Sequence, residues 1–316
     1  QCGEPTQDVL NTPVSIAIGK GAARRDNWKY ATTTFAQFLP YIAEHVPGEK
    51  DGTAVLQGYA AGNTRKQKAM AGLSTLMLDM DTGQSIEGIR DRIQELGLLA
   101  LIYTTHNHNS IQSDYGKDEI VKYCGIEDRE PTTEDCQKFA AEMKGVVPDI
   151  VETMEYDRTE LVSTGVRCFV KHKKLPKFRV LFLLDEMFDV GARAGKSSQQ
   201  AVITHWKEGY FGAAKLIGAH ADRSCADLSR LFYKARHKHG SEDFEVHMIW
   251  GKKLDFDELE RVPLSEVRAN RGSVAHSGDD DNPFAQLGGA DDDGGGTGYK
   301  TPGLMKFVAK YGEQFN

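Results

Sequence analysis

Ser74–Asp81 reads STLMLDMD, Ser85–Gly97 reads SIEGIRDRIQELG, and Leu98–His106 reads LLALIYTTH. In the first stretch Leu76, Leu78 and Met80 alternate with Thr75, Met77, Asp79 and Asp81, the two-residue period of a strand. In the second, Ile86, Ile89, Ile93 and Leu96 recur at helical spacing, Ser85 can cap the start and Gly97 suits the end. The third is an apolar run that turns β-rich at its close. Strand, helix and strand in succession form a βαβ unit, which predicts an α/β or α+β fold with the two strands as neighbours in one sheet.

Outward from this unit, Asn109–Lys177 is polar and reads as a mostly helical insertion, with a helix near Thr132–Met143. Strand character returns at Phe178–Leu184 (FRVLFLL). Ser197–Ile217 reads as a long helix carrying Val202, Ile203, Trp206, Tyr210, Ala213 and Leu216. Ala219–Tyr233 and Phe244–Trp250 look strand-like, and the body is expected to end near Arg271. Gly272–Thr301, rich in Gly and Asp, reads as an acidic linker with too little apolar surface to fold. In Pro302–Asn316, Leu304, Phe307, Val308 and Tyr311 have helical spacing, which suits the start of a following module or a terminal helix packed on the body.

The chain has 316 residues, 40% hydrophobic and 27% charged, a composition that excludes wholesale disorder. Its longest apolar run, Leu96–Tyr103, falls far short of the ~20 residues that span a bilayer, so no membrane partner is expected. No basic and apolar leader opens the chain, and with Gln at position 1 it reads as a piece of a longer product. Five scattered cysteines suggest free thiols and a cytoplasmic setting, that of a host cell if the source is viral. Net charge is −7, but the six aspartates at 279–281 and 291–293 account for all but one of those charges. The body is near neutral with clumped basic residues, a pattern that points to phosphate-bearing partners.

Asp79 and Asp81, two apart on a strand, share a face and can share a divalent cation. A two-metal phosphoryl-transfer site needs such carboxylates, although DMDTG also reads as a solvated Asp-rich turn. His106 and His108, just past the second strand, suit metal or phosphate contact or a plain loop. Ala219–His239 (AHADRSCADLSRLFYKARHKH) sets Asp222 and Asp227 before Arg230, Lys234, Arg236 and Lys238, carboxylates beside cations that could hold metal and phosphate together. Cys124-x11-Cys136 and Cys168-x3-His172 offer four zinc ligands. Without a CxxC pair, buried free thiols are the better reading and zinc is not expected.

LMLDMD, YTTHNHN, KFRVLFLL and HADRSCADLSRLFYKARHK, in that order over about residues 73–251, together resemble the archaeo-eukaryotic primase superfamily, in particular primase-polymerase domains of phage and plasmid primase-helicases. The resemblance implies an α+β, RRM-like core of mixed sheet with flanking helices and a helical insertion. It implies a template-directed nucleotidyltransferase that makes or extends primers, using Mg²⁺ or Mn²⁺. Its partners would be single-stranded or primed DNA, nucleoside triphosphates and a helicase module in the full-length protein. Asp79 and Asp81 match the family's first motif as metal ligands. Arg179 stands where the family commonly has His, so His106 or His108 could serve in its place. Arg230, with Lys234 and Arg236, would contact the triphosphate. For the third metal carboxylate Asp185, Asp222 and Asp227 compete; family order favours Asp222, with Asp227 orienting Arg230. Replacing both Asp79 and Asp81 is expected to leave the fold intact, because they repel one another.

Two other functions remain open from sequence. His106-Asn107-His108 with Tyr233 superficially resembles a rolling-circle replication-initiator endonuclease, although Asn107 replaces a bulky apolar residue. The basic stretches 158–179 and 223–238 would serve a non-catalytic nucleic-acid-binding module.

Overall fold

A computed structural model describes residues 4–20 and 27–269. The expected linker Gly272–Thr301 and segment Pro302–Asn316 lie outside the described residues. The chain opens with α1 (Gln7–Asn11), β1 (Pro13–Lys20), β2 (Lys29–Thr34), α2 (Phe35–Ala43), β3 (Val46–Pro47), β4 (Thr53–Leu56) and β5 (Gly58–Ala60). The predicted unit follows as β6 (Met70–Met80), α3 (Ile86–Glu95) and β7 (Ala100–Thr104). Ser85 Oγ accepts from the Gly88 amide at 3.0 Å, Ile86, Ile89 and Ile93 are buried, and Gly97 leaves the helix at φ +62°.

The two strands of that unit are not neighbours. β11 (Phe178–Asp189) lies between β6 and β7 and runs antiparallel to both, Arg179 facing Asp79 on one side and Tyr103 on the other. A strand as apolar as FRVLFLL buries both faces, and a central place in the sheet provides that. After β13 (Arg236–His237), which pairs with β3, comes β14 (Val246–Ile249), and the order of the larger sheet is β14-β7-β11-β6-β5. A second sheet, β12-β4-β1-β2, includes β12 (Leu231–Tyr233). The two sheets share one apolar core with α2, α3, α7 (Val190–Ala194) and α8 (Gln199–Leu216). The fold is mixed α+β, with mainly antiparallel sheets and flanking helices. No helix among the described residues is long and apolar enough to cross a membrane.

The stretch read as helical builds α4 (Lys117–Cys124), α5 (Thr133–Lys144) and α6 (Pro148–Val151), but also a sheet of β8 (Ser110–Gly116), β10 (Gly165–Leu175) and β9 (Glu155–Val162). Its helices bury their own core, around Ile120, Cys136, Phe139, Cys168 and Val170. The sheet carries ion pairs as well: Arg167–Asp114 and Lys171–Asp157 across strands, and Arg158–Asp157 along β9. Charged cross-strand pairs therefore masked the strands in the sequence. Ala219–Arg230 also departs from expectation, forming a 3-10 turn at Arg223–Ala226 rather than a strand. Asp222 is the cap of that turn, not the end of a strand.

Candidate active site

Asp79 lies near the end of β6, only 6% exposed. Arg179 Nε donates to its Oδ1 at 3.0 Å, and Arg179 Nη1 donates to the Tyr233 carbonyl at 2.9 Å. The guanidinium lies over the Phe232 and Tyr103 rings, 5.4 and 6.0 Å from their centres. Burying a carboxylate this deeply is costly without such a counter-charge. Burial alone would lower the Arg179 pKa; the Asp79 charge outweighs it, and the net shift is upward.

Asp222 meets Asp79 from another part of the chain. Its amide donates to the Asp79 carbonyl at 3.0 Å, and the Tyr210 hydroxyl donates to the Asp222 carbonyl at 2.9 Å. Ser224 holds the side chain, its amide on Oδ1 at 2.9 Å and its hydroxyl on Oδ2 at 2.7 Å. Cys225 follows, fully buried, with Sγ 3.6 Å from Asp79 Oδ2 and 3.7 Å from Asp222 Oδ2. One ligand atom each from Asp79, Asp222 and Cys225 lie within 4.8 Å of one another, and among the described residues no other His, Cys, Asp or Glu group converges so. Two carboxylates and a thiol at this spacing fit a divalent cation.

Asp81 stays open to water beside this cluster. The surrounding protein, then the charge of Asp79, pushes its carboxyl up to about 6, while Lys177 and Arg179 oppose the shift. Solvent contact moderates the first cause; the like charge of Asp79 gives the same direction by itself. The turn that carries Asp81 is not a free one. Thr82 is buried, its carbonyl accepts the Val147 amide at 2.9 Å, and a Cβ on Gly83 (φ +87°) would come within 2.8 Å of Leu175 and Ile150. The inserted subdomain thus braces the DMDTG turn and sets the height of Asp81.

Arg230 is half-buried next to the carboxylates. The charges of Asp79 and Asp222 act on it, yet its Nε has no hydrogen-bond partner among the described residues. The expected pairing with Asp227 is absent: Asp227 Oδ1 accepts from the Ser229 amide and hydroxyl at 2.7 and 2.6 Å. Asp185 sits at the far end of β11, exposed and paired with Lys253 at 3.0 Å.

The remaining candidates are engaged elsewhere. His106 Nε2 donates to the Gly48 carbonyl at 2.9 Å. His108 Nδ1 lies between the amide and carbonyl of Lys177, at 3.2 and 3.1 Å, and burial lowers its pKa. Arg236 donates to the Glu49 and Asp51 carbonyls, and Lys234 sits over the Tyr41 ring near Glu44. The four possible zinc ligands do not form a cluster: Cys124 faces the Asp135 carbonyl, Cys168 faces Thr159 and His172 bonds Ser113, while burial pushes the Cys136 thiol up to about 12. The basic stretch 158–179 is largely neutralised, with Lys173 and Lys174 paired to Asp149 and Asp243. Cys225 and Lys177 were not singled out from sequence. The Asp222-x2-Cys225 spacing was the available signal for the first.

No protein-family model and no curated protein matches the chain. Among solved structures, the chain is similar to the AEP domain of the cyanophage S-2L primase-polymerase, with 11% identity, 77% of this chain and 86% of that chain covered, and a TM-score of 0.31. At that score the likeness is too loose to bear on the reaction.

Proposed function

We propose that the chain is a metal-dependent nucleotidyltransferase, a primase-polymerase that extends a strand along a nucleic-acid template. The observation that carries this reading is the convergence of Asp79 and Asp222, with Asp81 beside them, next to the unpartnered Arg230 Nε. Divalent cations held by these carboxylates would supply positive charge to the attacking 3′-oxygen and the leaving pyrophosphate. Arg179 fixes Asp79 in one rotamer and supplies its counter-charge. Ser224 fixes Asp222 through two hydrogen bonds. Arg230 is left to bind triphosphate oxygens, with the geometric advantage of a planar fork over a point charge. Arg179, Lys234 and Arg236, engaged within the protein, shape the site instead of reading the nucleotide. DNA as template, a role in phage or plasmid replication and a helicase module elsewhere in the full-length protein belong to the same proposal.

Incubation of the chain with a primed template, nucleoside triphosphates and Mg²⁺ or Mn²⁺ tests it. Templated extension is the expected result. A covalent tyrosyl adduct or template binding without incorporation would overturn it.

A further inference from the structure

Asp79 has two carboxylate oxygens in unlike surroundings. Oδ1 accepts from Arg179 Nε, whereas Oδ2 has no N–H or O–H donor among the described residues; its one proton-bearing neighbour is the Cys225 thiol at 3.6 Å. That single S–H, a weak donor, is also the neighbour of Asp222 Oδ2 at 3.7 Å and can serve one oxygen at a time. Asp222 is satisfied by Ser224 in any case. Asp79 is not, and a buried carboxylate oxygen left to a thiol lacks the compensation that burial demands. A cation between the three atoms supplies it.

We infer that Cys225 is a metal ligand, so that the ion at Asp79 and Asp222 is held by a mixed oxygen and sulfur donor set. This deepens the proposed function and rests on its metal site. Coordination passes the thiol proton to water, and the sulfur takes the place beside Asp79 Oδ2. Mg²⁺ prefers oxygen ligands, while thiolate sulfur shifts preference toward softer ions such as Co²⁺ and Zn²⁺ and, less strongly, Mn²⁺. Cys225 is therefore a specificity-determining residue of the site. Its backbone place also suits the role: the 3-10 turn capped by Asp222 fixes the Asp222-to-Cys225 spacing, and the Asp222 amide is tied to the Asp79 carbonyl.

Co²⁺ alone is the probe. Titrated into the full wild-type chain, it should produce near-ultraviolet thiolate-to-cobalt charge-transfer absorption that saturates at one equivalent. Cys225→Ser should abolish that absorption and weaken Co²⁺ binding by calorimetry at least about tenfold, with less loss for Mg²⁺. Saturation of the wild-type chain without the absorption, or its persistence in Cys225→Ser, overturns the inference; the wild-type spectrum decides even if the variant misfolds. Primer extension, scored separately, distinguishes the two claims. Extension without the absorption removes Cys225 and leaves the polymerase reading. Absorption lost with Cys225 in a chain that never extends a primer keeps the ligand and removes the polymerase.

Discussion

Arg179 and Asp79 occupy opposed positions on β11 and β6 and meet through Nε and Oδ1, 3.0 Å apart, both side chains almost wholly buried. The pair joins the five-stranded sheet to the second sheet, because the same guanidinium holds the Tyr233 carbonyl of β12. It also decides how the acidic centre tolerates substitution. Asp79 is not simply one of two repelling carboxylates.

Removing Asp79 leaves a buried guanidinium without its counter-charge, so Asp79→Asn and Arg179→Met should each lose about 3–5 kcal/mol of stability. The double variant should lose clearly less than the sum, since a buried pair replaced as a unit costs little. Urea unfolding measures all three. An Asp79→Asn chain within about 1 kcal/mol of wild type would show that the pair contributes no more than a surface one. This replaces the expectation that the aspartates can be removed with the fold intact, and activity lost with Asp79 must be read against folded fraction.

Arg230 offers the cleaner functional variant. Its Nε has no hydrogen-bond partner to lose, although the charges of Asp79 and Asp222 act on it, so Arg230→Ala should lower the melting temperature less than Asp79→Asn does. A charge-assisted hydrogen bond to phosphate contributes about 1.5–3 kcal/mol, which raises KM for nucleotide roughly 10–100-fold. Initial-rate kinetics over nucleotide concentration separate KM from kcat. An unchanged KM would remove Arg230 from the nucleotide site.

The three aspartates that compete in sequence should now behave differently. Asp185→Ala breaks an exposed pair with Lys253, worth about 0–1 kcal/mol, and should leave activity near normal. Asp227→Ala loses the bonds to Ser229 and should cost about 0.5–2 kcal/mol, as a lost cap does, with metal affinity retained. Asp222→Ala should abolish activity at Mg²⁺ or Mn²⁺ levels that saturate wild type. Catalysis lost with Asp185 and spared with Asp222 would place the metal on the wrong end of β11.

Much of the frame around the acidic cluster was legible because it is written in local patterns. The β6–α3–β7 unit follows from residue spacing and a cap. Asp79 and Asp81 stand out as acids closing an apolar strand. What spacing does not encode is the insertion of β11 between β6 and β7, a pairing between positions a hundred residues apart. Hence nothing near Arg179 in the sequence points to its partner, Asp79. The strands of the 110–175 subdomain were hidden by cross-strand ion pairs, which put polar residues where a one-sided sheet usually alternates. Cys225 was hidden for another reason: its neighbour Asp79 is remote in sequence, and a lone thiol reads as an apolar filler.

His45 provides a test of acid stability away from the carboxylates. Its ring stacks on Phe244 with centres 4.7 Å apart and has His237 on another side, 5.7 Å away, while Nε2 meets Thr104 Oγ1 at 3.3 Å. Burial, then the charges of His237 and His108 against the Glu245 carbonyl, lowers its pKa to about 4 from the usual 6.5. The unfolded chain therefore takes up this proton first as pH falls. Stability from His45 is fully present above pH 6.5 and is lost as pH drops toward 4, by about 2 kcal/mol after allowance for partial exposure. Asp81 acts with the opposite sign: its raised pKa makes the folded chain the tighter proton binder between about 6 and 3.8, which adds stability in that window. Urea midpoints at pH 7 and pH 5 for wild type, His45→Gln and Asp81→Asn separate the two. His45→Gln should lose less stability on acidification than wild type, and Asp81→Asn should lose more. A His45→Gln profile that falls as steeply as wild type would show that the His45 ring is not the group that titrates.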